Sequence, residues 1–212
     1  MSYSEQMSTA ESAAPRRGRP PRADPVEIGL VALHLFVERG LDNVTMDEVA
    51  TAAGISRRTL FRVFPTKASI VWGGMTEFTS ELESRVNTAS GDDVVTILHR
   101  AWVDALHMLD STVEITRLRM VLIASSEEVR GWGYAQFAEA NLELERQVSR
   151  IEGTAEGTLR ARLISTALVA AGFSALSWWA QTNDPRTPAE VIDQSFTELA
   201  SIFRTSHSDA RP

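Results

Sequence analysis

The sequence predicts an all-α protein in which an N-terminal three-helix helix-turn-helix unit precedes a larger C-terminal helical domain. Three observations support this prediction. Apolar residues recur at intervals of three and four, and no segment alternates apolar with polar residues as a half-buried strand would. Capping residues and Gly or Pro breaks divide the chain into segments of helical length. The 212 residues are 43 % hydrophobic and include no cysteine, so the core forms without disulfides.

The chain begins with an irregular segment. Residues 1–23 are rich in Ser, Ala, Pro and Arg and show no periodicity, so we expect a flexible basic arm. Four arginines stand between positions 16 and 22 with no acidic residue among them, although the whole chain has a formal net charge of −7. This uneven distribution predicts an anionic partner for the arm. The negative net charge of the whole chain conceals the basic cluster.

Helix caps define the next elements, which we group as a first domain over residues 24–70. Asp24 followed by Pro25 is typical of a helix start, and Gly40 is typical of a helix end. The sequence Thr-x-x-Glu from Thr45 is a capping box that predicts a second, short helix.

The stretch from Thr45 to Lys67 (TMDEVATAAGISRRTLFRVFPTK) predicts a helix-turn-helix. Gly54 supplies the left-handed turn between the second and third helices, and Ala50 is small where the two helices cross. Ser56 caps the third helix. The apolar contacts that fix the crossing angle are assigned to Val49, Ile55 and Leu60.

The rest of the chain is also helical in period. Thr66 caps a fourth helix, which we predict to run without interruption from Lys67 to about Thr88. Five more helices are predicted, with breaks at Gly, Ser, Asn, Asp and Pro residues between them. Their approximate ranges are 92–110, 113–126, 128–151, 156–182 and 188–205. We assign residues 71–212 to a second domain.

The third helix carries a surface suited to the major groove of DNA. Its outward positions hold three arginines and no carboxylate, and Arg binds the guanine edge through two hydrogen bonds. The outward residues are Arg57, Arg58, Thr59, Phe61 and Arg62. A solvated basic helix without a DNA partner is the alternative, and the turn, the caps and the arginines together favour the DNA-binding interpretation.

These motifs resemble those of the TetR/AcrR family of bacterial one-component regulators. The family's Leu-Phe-x-x-x-Gly matches 35–40, its Thr-x-x-x-Ile-Ala-x-x-Ala-Gly-Val-Ser matches 45–56, and its Thr-Leu-Tyr-x-x-Phe-x-x-Lys matches 59–67. The resemblance implies a ligand-responsive, sequence-specific transcriptional regulator. It implies a repressor that binds a palindromic operator as a dimer and is released by a small hydrophobic effector. An activator of the same fold is equally compatible with the sequence.

Carried over by position, the resemblance implies contacts with bases or phosphates at Arg57, Arg58, Thr59 and Arg62. It also implies phosphate contacts for Thr45 and Lys67. Lys67 is the single lysine of the chain, and an ammonium group at a helix N-terminus suits a phosphate. Phe61 stands where the family usually has Tyr, so an apolar contact, such as one with a thymine methyl group, is expected there.

The basic arm adds a second candidate contact. The stretch Arg17-Gly18-Arg19-Pro20 favours an extended backbone, which suits insertion of Arg17 and Arg19 into a narrow minor groove. A charged linker is the alternative. Similar arms precede the helix-turn-helix in the TetR/AcrR family, and this similarity favours groove binding.

The second domain contains all five tryptophans and is more aromatic than a plain helical core requires. Most such residues are core, but together they favour an aromatic and Met-lined cavity for a hydrophobic or planar ligand. The predicted lining is Trp72, Phe78, Trp102, Leu106, Met120, Ile123, Trp132, Phe137 and Phe173. Arg117 and Arg119 either anchor a carboxylate or phosphate at its mouth or lie on the surface.

Two short stretches also resemble the TetR-type regulators associated with the mycofactocin system. They are Phe64 to Lys67 with Val71 to Gly73, and the segment from Arg117 to Ile123. This resemblance implies an acyl-type or other hydrophobic metabolite as the effector.

The last two helices are predicted to form a homodimer interface. Small residues within Leu163–Ala180 permit close approach of helices, and an apolar stripe on the final helix includes Val191, Phe196 and Ile202. A dimer doubles the contacts of a single helix-turn-helix and reads a palindrome with half-sites about one helical turn apart.

The sequence gives less support to an enzyme or a membrane protein. The four histidines are dispersed, and the chain lacks Gly-x-Ser-x-Gly and a P-loop, so we expect no enzyme, no metal and no cofactor. Leu163–Ala180 is an uncharged run at the short limit for crossing a bilayer, and we interpret it as a buried helix rather than a membrane span. A cytoplasmic protein is expected.

Overall fold

The computed structural model describes residues 24–107 and 113–205, and within them the chain forms ten α-helices and no β-strand. The prediction of an all-α fold is confirmed. In chain order the helices are α1 (Pro25–Arg39), α2 (Met46–Ala52), α3 (Arg57–Val63), α4 (Lys67–Val71), α5 (Met75–Thr88), α6 (Val94–His107), α7 (Val113–Ser125), α8 (Glu127–Glu152), α9 (Leu159–Thr182) and α10 (Pro188–Thr205).

The predicted caps set the starts of the N-terminal helices. The side chain of Asp24 accepts a hydrogen bond from the N–H of Val26, and Thr45 and Glu48 form the capping box of α2. Gly54 has a φ of 66°, a left-handed conformation that favours glycine and turns the chain from α2 into α3. The helix-turn-helix therefore forms as its local sequence predicts.

The prediction of one helix from Lys67 to Thr88 is wrong. The helical backbone stops at Val71 and resumes at Met75, so α4 has only five residues. Gly74 between them has a φ of 87° and stands at the N-cap of α5. A left-handed residue cannot continue an α-helix, and the chain changes direction there.

The C-terminal helices form a bundle around two groups of buried residues. The proximal cluster joins the N-terminal helices to α7–α10 and includes Phe36, Leu60, Trp72, Ile123 and Trp179. The distal cluster lies among α5, α6, α8, α9 and α10 and includes Leu98, Trp102, Val148, Ile192 and Phe196. The two clusters share partly buried side chains of α8 and α9, such as Phe137 and Leu176.

A cluster of polar contacts holds the turn between α9 and α10 against α7. Two guanidinium N–H groups of Arg117 donate to the carbonyl oxygens of Trp179 and Asp184, at 3.0 and 2.6 Å. The same guanidinium stacks over the Trp179 ring at 3.9 Å. Hydrogen bonds from the Arg186 side chain lower the pKa of Asp184 to about 2. Arg117 therefore holds the α9–α10 turn in place, and it does not border the internal cavity of the helical bundle.

Gly133 marks the closest approach between α8 and the α4 region. An added Cβ at this position would lie 2.0 Å from Cζ2 of Trp72. The Trp72 ring is almost fully buried, and its Nε1 donates a hydrogen bond of 2.8 Å to the carbonyl oxygen of Val129. The ring is thus fixed on one side by α8 itself, and a larger residue at position 133 has no space.

Replacing Gly133 by alanine is expected to lower the free energy of unfolding by about 1–3 kcal/mol, because the added methyl group overpacks the Trp72 site. Gly131→Ala is the matched control in the same helix, since no heavy atom lies within 4 Å of its added Cβ. That change is expected to raise the free energy of unfolding by up to about 1 kcal/mol through helix propensity. Urea denaturation measures both, and equal stabilisation by the two changes would contradict the packing of α8 on Trp72.

Candidate nucleic-acid interface and ligand cavity

One face of α3 anchors the helix, and the opposite face is free for a partner. Leu60 is fully buried and Phe64, which follows the helix, is 8 % exposed. Arg57, Arg58, Phe61 and Arg62 are exposed, whereas Thr59 is half-buried and its hydroxyl shares a 2.8 Å hydrogen bond with Ser56. The structure thus brings the residues predicted on α3 to one surface, with Thr59 at its edge.

The cations of this surface differ in their partners. A guanidinium nitrogen of Arg57 lies 3.1 Å from a carboxylate oxygen of Asp47 on α2, and the group also lies 5.3 Å from the Phe61 ring centre. Among the residues that the structure describes, Arg58 and Arg62 form no ion pair. These two guanidinium groups are therefore available to bases or phosphates without the loss of an internal partner.

The two predicted phosphate contacts are already engaged within the chain. The Thr45 hydroxyl donates to Glu48 at 2.8 Å, and the Thr45 N–H donates to the same carboxylate oxygen. These bonds lower the pKa of Glu48. Lys67 Nζ donates to the carbonyl oxygen of Leu41 at 2.7 Å and so joins α4 to the loop after α1. An ammonium group has three donors, so Lys67 can also bind a phosphate, whereas a phosphate at Thr45 would meet the Glu48 carboxylate.

The predicted arm contacts, Arg17 and Arg19, lie outside the described residues. Among the residues that are described, no group of three or more His, Asp or Glu side chains is arranged to hold a metal ion.

An apolar cavity lies between α4–α5 and the helices α6, α7, α8 and α9. Its volume is about 150 Å³. Eight of the nine predicted lining residues border it: Trp72, Phe78, Trp102, Leu106, Met120, Ile123, Phe137 and Phe173. Edge-to-face ring contacts connect Trp72, Phe137 and Phe173, with centroids 5.0–5.1 Å apart. These three rings thus form one continuous part of the cavity wall.

Trp132 is the exception and does not border the cavity. Its side chain is 38 % exposed on α8. The neighbouring residue Gly133 faces Trp72, and one step along an α-helix rotates a side chain by about 100°. Trp132 is consequently directed away from the space that Phe137 enters.

The cavity also has polar lining residues that sequence reasoning did not single out. Thr116 comes from α7, and Glu143 and Gln147 come from α8, one turn apart on the same face as Ala140 and Leu144. The Glu143 carboxylate is held by Arg146, which lowers its pKa, and by the Gln147 amide at 3.3 Å. Glu143 and Gln147 are four residues apart and lie on the same helix face as the apolar residues Ala140 and Leu144. This spacing is the feature of the sequence that could have predicted them as lining residues.

Arg119 on α7 is the one cation that borders the cavity among the described residues. Burial lowers the pKa of its guanidinium, and the charge of Glu77 opposes this effect. The Arg119 side chain therefore lines the cavity, and its role as an anchor for a carboxylate or phosphate stays a prediction.

The outer face of α9 is apolar and exposed. Leu163 is 59 % and Trp178 is 49 % exposed, and the small residues Ala167, Ala170 and Ser174 lie between them on the same face. By length and composition α9 is also the one described helix that could cross a membrane, and a third of its most apolar window is buried. On α10, Ile202 is exposed, whereas Val191 and Phe196 are buried within the subunit, and the Phe196 ring contacts Trp102 of α6. The predicted interface stripe on the final helix is therefore wrong at Val191 and Phe196, which belong to the core of the subunit.

Comparisons with known proteins agree on the family. Residues 30–71 match the model described as bacterial regulatory proteins of the tetR family, and residues 92–204 match the MftR C-terminal domain. The chain is 27 % identical over 165 residues to a Mycobacterium tuberculosis protein named as the mycofactocin biosynthesis transcriptional regulator MftR. That alignment covers 77 % of this chain and 83 % of the relative.

Two solved structures share the fold. The fatty acid degradation regulator FadR of Bacillus halodurans superposes with a TM-score of 0.62 at 16 % identity, over 82 % of this chain and 93 % of that one. The FadR repressor of Thermus thermophilus, solved with lauroyl-CoA, gives a TM-score of 0.52 at 21 % identity, over 84 % and 93 %. The helix-turn-helix, the helical second domain and the matches to both halves show that this chain is a DNA-binding transcriptional regulator of the TetR family with an MftR-type C-terminal domain and not an enzyme.

Proposed function

We propose that this regulator is a repressor that binds a palindromic operator as a homodimer and leaves it when a small hydrophobic molecule, such as an acyl compound, enters the cavity. The observation that carries the proposal is the position of the cavity. Val71 and Trp72, at the end of α4, border it directly, and Lys67 at the start of the same five-residue helix bonds to the loop before α2. A ligand in the cavity therefore touches the helix that supports the DNA-binding unit.

The exposed face of α9 supports the homodimer. Its residues Leu163, Ala170 and Trp178 lie along one apolar line about 22 Å long at 1.5 Å per residue. An uncovered apolar line of this length favours association, and its small central residues allow two helices to approach closely. Because the relatives are named as bacterial transcription regulators, we propose that the dimer is cytoplasmic.

Binding to DNA and release by a ligand test the proposal together. The purified chain would be titrated into a duplex of its own upstream intergenic DNA and into a scrambled duplex of equal length, at two salt concentrations. Selective binding with a steep salt dependence and one dimer per site is expected. Lauroyl-CoA, the molecule bound to the Thermus thermophilus relative, is then expected to release the specific duplex. Equal binding of both duplexes at both salt concentrations would contradict sequence-specific recognition.

Arg58→Ala is expected to weaken operator binding by about 1–3 kcal/mol and to leave the fold intact, because the Arg58 side chain is exposed and without an internal ion-pair partner. Arg100→Ala is the matched control, an exposed arginine on α6 paired with Asp92 at 2.5 Å. It should leave operator affinity unchanged. A fluorescence anisotropy titration measures both variants, and unchanged affinity of Arg58→Ala would contradict the proposed orientation of α3 on DNA.

A further inference from the structure

The Arg119 guanidinium borders the cavity, and among the described residues no anion is paired with it. Among the described residues no carboxylate is within ion-pair distance of Arg119, and its buried Nε has no hydrogen-bond partner. Glu77 is the acidic group whose charge acts on it, from beyond that distance. A partly buried cation without a bonded partner is unfavourable in the empty protein, and an anion delivered by a ligand would remove that deficit.

The backbone is built to let this guanidinium approach closely. An added Cβ at Gly74 would lie 2.7 Å from one Nη of Arg119, and one at Gly73 would lie 3.0 Å from the other. Gly29 of α1 lies close as well, with its added Cβ 3.9 Å from the same guanidinium. Two adjacent glycines thus create the space that Arg119 occupies, at the break between α4 and α5.

The rest of the cavity is suited to an apolar body of some length. The α8 residues that border it extend from Phe137 to Gln147, which corresponds to about 15 Å along the helix. The acidic residue that borders the cavity, Glu143, is held by Arg146 and Gln147, so it does not neutralise Arg119. The walls between these polar groups are aromatic and aliphatic. The lining therefore matches a molecule with a long apolar part and one charged end.

We propose that the ligand of this cavity is an amphipathic anion, an apolar chain or ring system ending in a carboxylate or phosphate group that binds the Arg119 guanidinium. This inference rests on the proposed function and adds Arg119 as the residue that selects a ligand with a charged end. The guanidinium that would hold the anion lies beside Gly73–Gly74 and near Gly29, so the anion would bind close to the point where α1, α4 and α5 meet. Two N–H groups of a guanidinium match the two oxygens of a carboxylate or phosphate.

Four probes that share a ten-carbon chain and differ in their ends test the charge requirement. Calorimetric titration of the full chain would compare decanoate, decanoyl-CoA, 1-decanol and decyltrimethylammonium. Decanoate, decanoyl-CoA or both are expected to bind at least about 10-fold more tightly than 1-decanol, because hydrogen bonds to a charged group contribute that much. Preference for decanoate assigns the anion to a carboxylate, and a preference for decanoyl-CoA alone that is lost in Arg119→Met assigns it to phosphate. The cationic probe is expected to bind least tightly.

Arg119→Met tests the residue. This change is expected to reduce the affinity of the preferred anionic probe to that of 1-decanol, to leave 1-decanol unchanged, and to keep or raise the Tm of the empty protein. Arg100→Met, on the outer surface of α6, is the matched control and should alter none of these values. Such a combination of lost anion affinity and retained stability would not arise from a merely structural role.

Each contrary result has a distinct meaning. Equal affinity of wild-type protein for decanoate, decanoyl-CoA and 1-decanol would overturn the anion proposal, as would an Arg119→Met variant that binds the anionic probes as the wild type does. If Arg119→Met does not fold, the comparison of probes on the wild-type chain decides alone. Failure of all four probes to bind would overturn the hydrophobic effector itself, and thus the proposed function together with this inference.

Discussion

Replacing Trp179 by alanine is expected to lower the free energy of unfolding by about 3–5 kcal/mol. Trp179 is fully buried, stacks beneath the Arg117 guanidinium, and donates from Nε1 to the carbonyl oxygen of Arg186 at 2.7 Å. Alanine would leave a cavity in the proximal cluster, a cation without its aromatic partner, and a carbonyl without its donor. The change therefore removes three kinds of stabilisation at the point where α7 meets the α9–α10 turn.

Trp132→Ala is the matched control for this experiment. Trp132 is partly exposed and lies outside the cavity, so its loss is expected to change the free energy of unfolding by less than about 1 kcal/mol. Urea denaturation followed by circular dichroism at 222 nm would measure both variants. Similar values for the two tryptophans would contradict the role assigned to Trp179.

Placing a charge in the middle of the α9 face is expected to separate the dimer and to weaken operator binding strongly. Ala170→Glu puts a carboxylate where two apolar faces are proposed to meet, and its desolvation opposes association. A monomer reads one half-site, so about half of the specific binding energy of roughly 4–10 kcal/mol would be lost, or about 2–5 kcal/mol. Sedimentation equilibrium and operator titration measure the two effects.

Ala138→Glu provides the control for Ala170→Glu. Ala138 is also an exposed alanine in the interior of a long helix, but it lies on α8 and not on the proposed interface. Its variant should remain dimeric and bind the operator as the wild type does. A dimeric Ala170→Glu with full operator affinity would show that the subunits associate through another surface.

The local elements of this fold were predictable because their determinants are local. The capping side chains Asp24, Thr45 and Ser56 satisfy N–H groups within three residues of themselves, and the structure contains each of these caps. The left-handed turn at Gly54 depends on a single residue in the same way. Such features need no knowledge of the rest of the chain.

The break between α4 and α5 could not be predicted on the same basis. A glycine within a helical pattern costs only about 1 kcal/mol, so the apolar periodicity before and after Gly73–Gly74 indicated one continuous helix. The guanidinium of Arg119, more than forty residues later, occupies the space beside both glycines, where a larger side chain would collide with it. A long-range contact of this kind leaves no trace in the local pattern.

The cavity contains lining residues that the sequence predicted correctly and excludes one residue that it predicted wrongly. Aromatic residues spaced on several helices predicted its lining, and eight of the nine border one space. The ninth residue, Trp132, does not border the cavity because of the orientation of α8. Gly133 faces Trp72, so the neighbouring Trp132 side chain is directed away from the cavity. Whether these residues bind a ligand stays a prediction, and so do the DNA contacts of α3.

The proximal cluster has a consequence for how the protein unfolds. Buried side chains of α1, α3 and α4 share this cluster with those of α7, α8 and α9, so the boundary near residue 70 does not separate two cores. Residues 24–70 alone would expose one side of their own interior, and we expect no stable isolated fragment. Calorimetry of the full chain should instead record a single cooperative transition, with a van't Hoff enthalpy per cooperative unit close to the calorimetric one. Heating would then unfold the helix-turn-helix unit and the helical bundle that contains the cavity in the same transition.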